Sequence, residues 1–563
     1  MASYAELLPG FVPSFWLKWL VVCVGIALLH QLAWCVYCLY FHPLARFPGP
    51  KLAAVSDVWL ARTWLSGRYA KIIQAAHEKY GDVVRVAPNE LTFATVQAHR
   101  DIYSTPSKTG KTKKPFLKDG QFYNNGDVKT LFYELDPAEH ARQRKLLAPG
   151  FSAAAMRFHE PVIHRYTDLF VDQLENLDRE SHGAGFNVTE AFMWLGFDIM
   201  GELTFSESFG TVKNMKPHFW ISLLRDSAHA AILPSLISRL PWLWPLLPFM
   251  VSFSSLRNLR KHYAYTLATV RRRVQRDADA NPCALPDASK DAVKKTTTET
   301  EKTEGKDKPK QPTDLFAPII AHGNMSEKQL VSLAQAIIIA GADTVSHVLT
   351  GAFYFLTTHP SSLSALQHEI RNSFSSMDPK VMSGGALAGC RWLNAVLEET
   401  MRCFPPIAFG LPRVSPGEVV DGRFVADGSV VSAPHWAVLH RGDSWEAPFA
   451  FRPERWLGGG EGEGVGGGTD GQPRGLPFSS GPRACLGIAQ AYLELRIALA
   501  KLVWTYDISL VGDHGDWLGR AQMHMLWKEA PLMVHFQRRE GEDGVEDEVI
   551  ERGVSLRNVW VLS

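Results

Sequence analysis

The sequence has 563 residues, 46% of them hydrophobic and 21% charged, a globular composition with room for one large domain or two ordinary ones. A net charge of +1 gives no footing for a nucleic-acid partner. Seven cysteines, mostly scattered, do not read as a disulfide framework and suit a reducing compartment.

The chain opens with a candidate anchor. Trp19 to Tyr40 is 22 residues without Asp, Glu, Lys or Arg, and roughly 20 apolar residues span a bilayer as a helix. His30 and Gln31 are its only costly members. Cys35 and Cys38 form C-x-x-C inside this run, so they read as membrane-embedded thiols rather than a redox or zinc pair. Arg46, Lys51, Arg62 and Arg68 follow the run, whereas no Lys or Arg precedes Lys18. That asymmetry places the remainder in the cytosol. The expected organisation is an anchor over 1–42, one body over 43–540 and an acidic tail over 541–563. The stiff Phe47–Pro50 stretch marks the exit from the membrane.

Helical patterns dominate from about residue 70 to 280. "YAKIIQAAHEKYG" reads as a helix with Gly81 as its C-cap. "VVRVAPNELTFAT", 83–95, reads as two short strands around a Pro-Asn turn. Pro286 to Thr313 has seven Lys and six Asp or Glu and almost no apolar residue, which predicts a disordered insert. Gly458 to Gly475 is a second, glycine-rich one.

Chemistry enters at Ser326. With Gln329 it fits a capping box, and the helix it starts should run to Pro360, roughly 50 Å. Gly341, Asp343 and Thr344 sit in its apolar centre. Ala336, Ala340 and Thr344 share a face, a groove against which something flat could lie. Thr344 can bond back to the Ala340 carbonyl and open the helix locally. Close packing around small residues is the competing explanation. Further on, "LNAVLEETMRCFPP" places Glu399 and Arg402 on one helix face among Val396, Leu397, Met401 and Phe404. A buried ion pair needs further donors, and Arg455 in "FRPERW" offers one. Last comes "FSSGPRACLG", 478–487, a lone thiol, Cys485, framed by glycine and proline.

Taken in order, A-G-x-D-T, E-x-x-R, P-E-R and F-x-x-G-x-R-x-C-x-G resemble the cytochrome P450 family of haem-thiolate monooxygenases, over residues 43 to about 538. The resemblance implies a mainly α fold with a small β region, a long central helix over haem b (iron protoporphyrin IX), and Cys485 as the axial thiolate. It implies that Phe478 packs beside the loop, that Gly481 permits its bend, and that Gly487 lets the next helix start near the porphyrin. Arg483, His140, Arg144 and Arg413 would reach the haem propionates, His140 being otherwise an ordinary surface histidine. Gly341, Asp343 and Thr344 would lie beside bound O2, with Asp343 and Thr344 relaying protons. Glu399, Arg402 and Arg455 would form a structural triad. Trp456 stands where many relatives carry Phe, an apolar exchange.

By the same resemblance, electrons come from NADPH through NADPH-cytochrome P450 reductase, since no flavin or Fe–S motif is present. "FHPLARFPGPKLAA" is similar to microsomal fungal members of secondary metabolism, which implies a single-pass protein of the endoplasmic reticulum membrane. The apolar 218–250 stretch would dip into the membrane, or else form plain core helices. Apolar Ile337, Ala340 and "PIAFGLP", 406–412, imply a lipophilic terpenoid or polyketide-type substrate, hydroxylated or epoxidised. A lysine in the 104–133 loop could meet a carboxylate on it. A haem-thiolate isomerase or dehydratase, and a non-catalytic haem sensor, are the alternatives.

Overall fold

The computed structural model describes residues 11–104, 114–123, 129–181, 184–246, 253–280, 314–322, 325–458 and 475–539. The inserts expected at 286–313 and within 458–475, and the tail from 541, lie outside the described residues.

The N-terminal helix is Phe11–Val36, closing in a π-helical turn, Tyr37–Phe41. It starts before the expected Trp19, because Lys18 limits what a bilayer tolerates but not what a helix tolerates. The stretch Trp16–Phe41 is long and apolar enough to cross a membrane. The turn ends at His42, held extended (φ −65°, ψ 141°) by the proline that follows. Its foot is bolted to the body. Arg85 Nη1 donates to the Cys38 carbonyl at 2.8 Å, and Trp34 Nε1 donates to Val55 O at 3.1 Å. Cys38 is fully buried there. The C-x-x-C pair is therefore not wholly membrane-embedded, since one of its thiols seals a protein junction.

The helix Tyr69–Tyr80 stops at Gly81, whose φ of 97° suits glycine. Strands Val83–Ala87 and Glu90–Phe93 pair antiparallel about Pro88–Asn89, with Val83 opposite Phe93. They open a five-stranded sheet continued by Val430–Ser432, Arg413–Val414 and Leu117–Lys118. One of its pairings is parallel, with Leu91 beside Val431, and another sets Lys118 opposite Arg413. The 218–250 stretch is divided. Trp220 and Leu236 are core, in helices Phe219–Ala230 and Leu233–Arg239. In the Pro241–Leu246 turn, Trp242 and Trp244 are 61% and 65% exposed.

The core centres on the long helix Glu327–Thr358, 32 residues or about 48 Å. Ser326 caps it reciprocally: Gln329 N–H donates to Ser326 Oγ, and Ser326 N–H donates to Gln329 Oε1. It packs on helix Val188–Phe205 through small residues. A Cβ at Gly196 would lie 3.0 Å from the Ala342 carbonyl, and one at Gly341 would lie 2.4 Å from Met200 Sδ. Gly341 thus follows the packing explanation, whereas Ala340 and Thr344 keep partly open faces.

Helix Arg391–Cys403 carries a buried ion cluster. Arg402 pairs with Glu399 through Nε (2.8 Å) and Nη2 (2.9 Å), and Arg455 Nε reaches Glu399 Oε1 at 3.1 Å. The Arg452 N–H adds 2.9 Å to the same oxygen, and Trp456 Nε1 donates to Oε2 at 2.9 Å. Trp456 is thus more than an apolar exchange, because its indole N–H helps keep a buried carboxylate ionised. Burial pushes Glu399 up, but Arg402 and Arg455 outweigh it and hold the carboxyl below its usual range.

Two outcomes follow for stability. Trp456→Phe removes one donor from the buried carboxylate and is expected to cost about 1–3 kcal/mol, read as a lower urea midpoint with unchanged slope. Burial also pushes His77 and His435 down to about 4, and His99 and His440 down to about 3, from 6.5. Protons then bind the unfolded chain first. The stability these histidines contribute above pH 6.5 drains as pH falls toward 4, by up to about 1.4 kcal/mol per pH unit for each. Denaturant melts from pH 8 to 4.5 should steepen below pH 6.5, and His435→Gln should remove about one proton from that slope.

Candidate active site

The cysteine loop is built from two short 3-10 turns, Leu476–Phe478 and Gly481–Arg483. Gly481 has φ of 72°, and a Cβ there would sit 2.2 Å from the Tyr103 carbonyl, so only glycine fits. The Cys485 N–H donates to Phe478 O at 2.8 Å and closes the loop. Phe478 leans on Tyr492, with ring centroids 5.4 Å apart. Burial pushes the Cys485 thiol up, while the Gly487 N–H and Arg144 favour the thiolate. Helix Ile488–Thr505 starts directly after it, with its positive end toward the sulfur. Gly487 has φ of −87°, and a Cβ on it would meet only Phe151, at 3.7 Å. Neither the backbone nor protein packing demands glycine there, whereas a flat group lying against the loop would.

Glu398, which sequence reasoning passed over, ties this loop to the ion cluster. Its carboxylate accepts from Gly475 N at 3.1 Å and from Tyr492 OH at 2.5 Å. The only sequence signal was its place beside Glu399.

A cationic cluster flanks the thiol. Arg144 Nη1 donates to the Ala484 carbonyl at 2.7 Å, directly before Cys485. Arg483 donates to the carbonyls of Glu134 (2.6 Å) and Leu135 (2.9 Å). Arg413 donates to Tyr123 OH at 3.1 Å. His140 is buried, not a surface residue. Burial, then Arg483, Lys118, Arg144 and Arg413, push it down to about 3. Lys118 is the member whose place the sequence did not reveal. It donates to the carbonyls of Leu131 (3.3 Å) and Phe132 (2.5 Å). Burial, then Arg483 and Arg413, push it down to about 6. The 104–133 loop does contribute a lysine, and it lies among these arginines because Lys118 is paired with Arg413 across the sheet. Among the described residues, Glu134 is the acid that pulls Lys118 back toward its charged form. Such a concentration of positive charge fits a ligand bearing carboxylates.

On the long helix, Thr344 Oγ1 donates to the Ala340 carbonyl at 2.6 Å, as its sequence position suggested. Asp343 lies buried. Burial pushes its carboxyl up to about 7, against the pull of Arg225 and with a smaller push from Glu529. Arg225 Nε lies 3.6 Å from Asp343 Oδ1. A glycine-framed loop that presents a lone cysteine sulfur, a cationic cluster, and an acid next to an alcohol in a mid-helix notch suit haem: Cys485 for the iron, the basic side chains for the propionates.

Comparison with known proteins agrees. The sequence matches the cytochrome P450 family model over residues 48–536. It is 35% identical to cytochrome P450 monooxygenase BOA3 of Botryotinia fuckeliana, covering 93% of this chain and 97% of that one. It is also 35% identical to cytochrome P450 monooxygenase poxC of Penicillium oxalicum, over 95% and 98%. Averantin hydroxylase of Dothistroma septosporum is 31% identical over 95% and 94%. With this match over most of its length, the chain belongs to the cytochrome P450 family and is a haem-dependent monooxygenase.

Proposed function

We propose that this is a membrane-anchored monooxygenase of fungal secondary metabolism that hydroxylates or epoxidises a lipophilic, mostly uncharged substrate. NADPH-cytochrome P450 reductase is its electron donor, and the body faces the cytosol from the endoplasmic reticulum. What supports the reading is that one chain carries both a Cys485 loop flanked by basic side chains and an Asp343–Thr344 notch in its long central helix. An acid and an alcohol side by side serve proton delivery during O2 reduction, which isomerisation or dehydration does not require. The anchor reading rests on the apolar Trp16–Phe41 stretch and the positive charge that follows it. Hydroxylation is the activity named for the Dothistroma relative.

When bound, haem supplies the iron chemistry of O2 reduction and oxygen insertion. The rest falls to the chain. Cys485 would hold the iron through its sulfur, and the Gly487 N–H, already bonded to that sulfur, would temper its charge. Arg483, Arg144, Arg413, Lys118 and His140 would hold the propionates and so fix the haem's orientation. Thr344 holds its hydroxyl at the notch by bonding Ala340 O, and Asp343, poised near neutrality, moves protons to it. Ile337, Ala340 and the Ile407–Leu411 stretch supply apolar walls. An ionised ligand there would pay heavy desolvation.

Reconstitution with reductase, NADPH and O2, scored for NADPH oxidation and product, tests the whole reading. Product formation without reductase or O2 would favour the isomerase, and none under any condition the sensor. Cys485→Ser should abolish the thiolate-type absorption band of the CO-bound reduced protein, because serine is a poor soft donor. Thr344→Ala should keep haem content but release peroxide, with product per NADPH falling several-fold, because proton delivery rather than binding fails.

A further inference from the structure

Asp343 belongs to a longer buried chain. One helical turn on, His347 Nδ1 lies 2.6 Å from Glu529 Oε1, and His347 Nε2 lies 3.1 Å from the Phe404 carbonyl oxygen. A carbonyl only accepts, so Nε2 carries a hydrogen. A 2.6 Å contact with a carboxylate needs a second one. The pair therefore holds one proton more than a neutral imidazole beside an ionised carboxylate. Burial pushes Glu529 up, but the bond to His347 and the charges of His347 and Arg225 outweigh it. That extra proton is shared in the short Nδ1–Oε1 contact, so the pair carries no net charge.

Glu529 Oε2 lies 3.4 Å from Arg225 Nη2, and Arg225 Nε lies 3.6 Å from Asp343 Oδ1. Basic and acidic side chains thus alternate: His347, Glu529, Arg225, Asp343. Different segments bring them together. Asp343 and His347 ride on the long helix, Arg225 on Phe219–Ala230, and Glu529 follows strand Trp527–Lys528. Helix Val188–Phe205 presents Gly196 and Met200, both uncharged, to the neighbouring Ala342 and Gly341. Phe404 and Trp527 cover the His347 ring, at 4.1 and 6.1 Å between centroids. Among the described residues, the charged groups acting on Asp343 are Arg225, Glu529 and His347.

Sharing is the consequence of this order. Arg225 divides its charge between two carboxylates, and His347 satisfies one of them. Neutralising Glu529 releases Arg225 to Asp343 and removes a repulsion. Neutralising His347 or Arg225 does the reverse.

We propose that His347, Glu529 and Arg225 are positioning residues that set the charge on Asp343, and through it the pH range over which monooxygenation stays coupled. The proposal rests on Asp343 being the proton-handling acid. Product per NADPH should fall as pH rises through the Asp343 midpoint. The test uses the full-length haem protein with reductase from pH 6 to 9, with the CO difference spectrum confirming folded protein. Glu529→Gln should move the midpoint down, while His347→Gln and Arg225→Gln should move it up, each by about one pH unit, a tenfold change in proton affinity. Glu529→Asp should restore the wild-type profile. Infrared difference spectra of the resting protein, with Asp carboxyls isotopically labelled, should show the protonated-carboxyl band titrating with the same opposite shifts and vanishing in Asp343→Asn. Shifts of one sign in all three variants, or none, would overturn the proposal while Asp343→Asn still uncouples. An unaltered Asp343→Asn profile would overturn the proton-handling reading itself, and the proposal with it.

Discussion

A carboxylate taken out of water stays ionised only if donors surround it, and Glu399 meets that condition by gathering distant chain. Arg402 comes from its own helix, and Arg455, Trp456 and the Arg452 N–H from the segment some fifty residues on. Arg402 then reaches on to the carbonyls of Leu439, Pro448 and Ala450. The neighbouring Glu398 grips Gly475 and Tyr492, on either side of the cysteine loop. Consecutive carboxylates on one helix thus pin both the meander before the loop and the loop itself. The position of the thiol is inherited from the solvation requirements of acids that take no part in its chemistry.

The Cys485 loop and the middle of the long helix solve opposite electrostatic problems. Around Cys485, cations are crowded together, and burial plus mutual repulsion drive Lys118 and His140 down. That environment is designed to be completed by negative charge. Along the long helix behind Thr344, basic and acidic side chains alternate, and burial pushes Asp343 up to about 7 against the pull of Arg225 and His347. One region is built on charge imbalance, the other on near-balance.

What could be read from the sequence was local. The Ser326 cap, the Gly81 stop and the Thr344 back-bond depend on residues a few positions apart, and each is present. What escaped depends on register or on chain far away. Lys118 joins the cationic cluster because strand pairing sets it opposite Arg413. Gly341 is small because Met200 of another helix fills its space. Trp456 looked like a bulkier phenylalanine until its N–H was seen on Glu399. Glu529 and Arg225 carry no pattern at all, and only the fold makes them neighbours of Asp343. Cys38 looked lipid-facing because hydropathy cannot distinguish a bilayer from a well-packed seam.

That seam bears on how the protein can be handled apart from its membrane. Arg85 is buried, and spends its donors on the carbonyls of Cys38 and Pro88. A truncation beginning at Tyr37 retains the π-helical turn and leaves the guanidinium capped. One beginning at Pro43 strips an acceptor from a desolvated cation and uncovers the wall that Cys38 had closed. The dispensable part of the anchor ends where its backbone first becomes a hydrogen-bond partner of the body, several residues before its hydrophobicity ends.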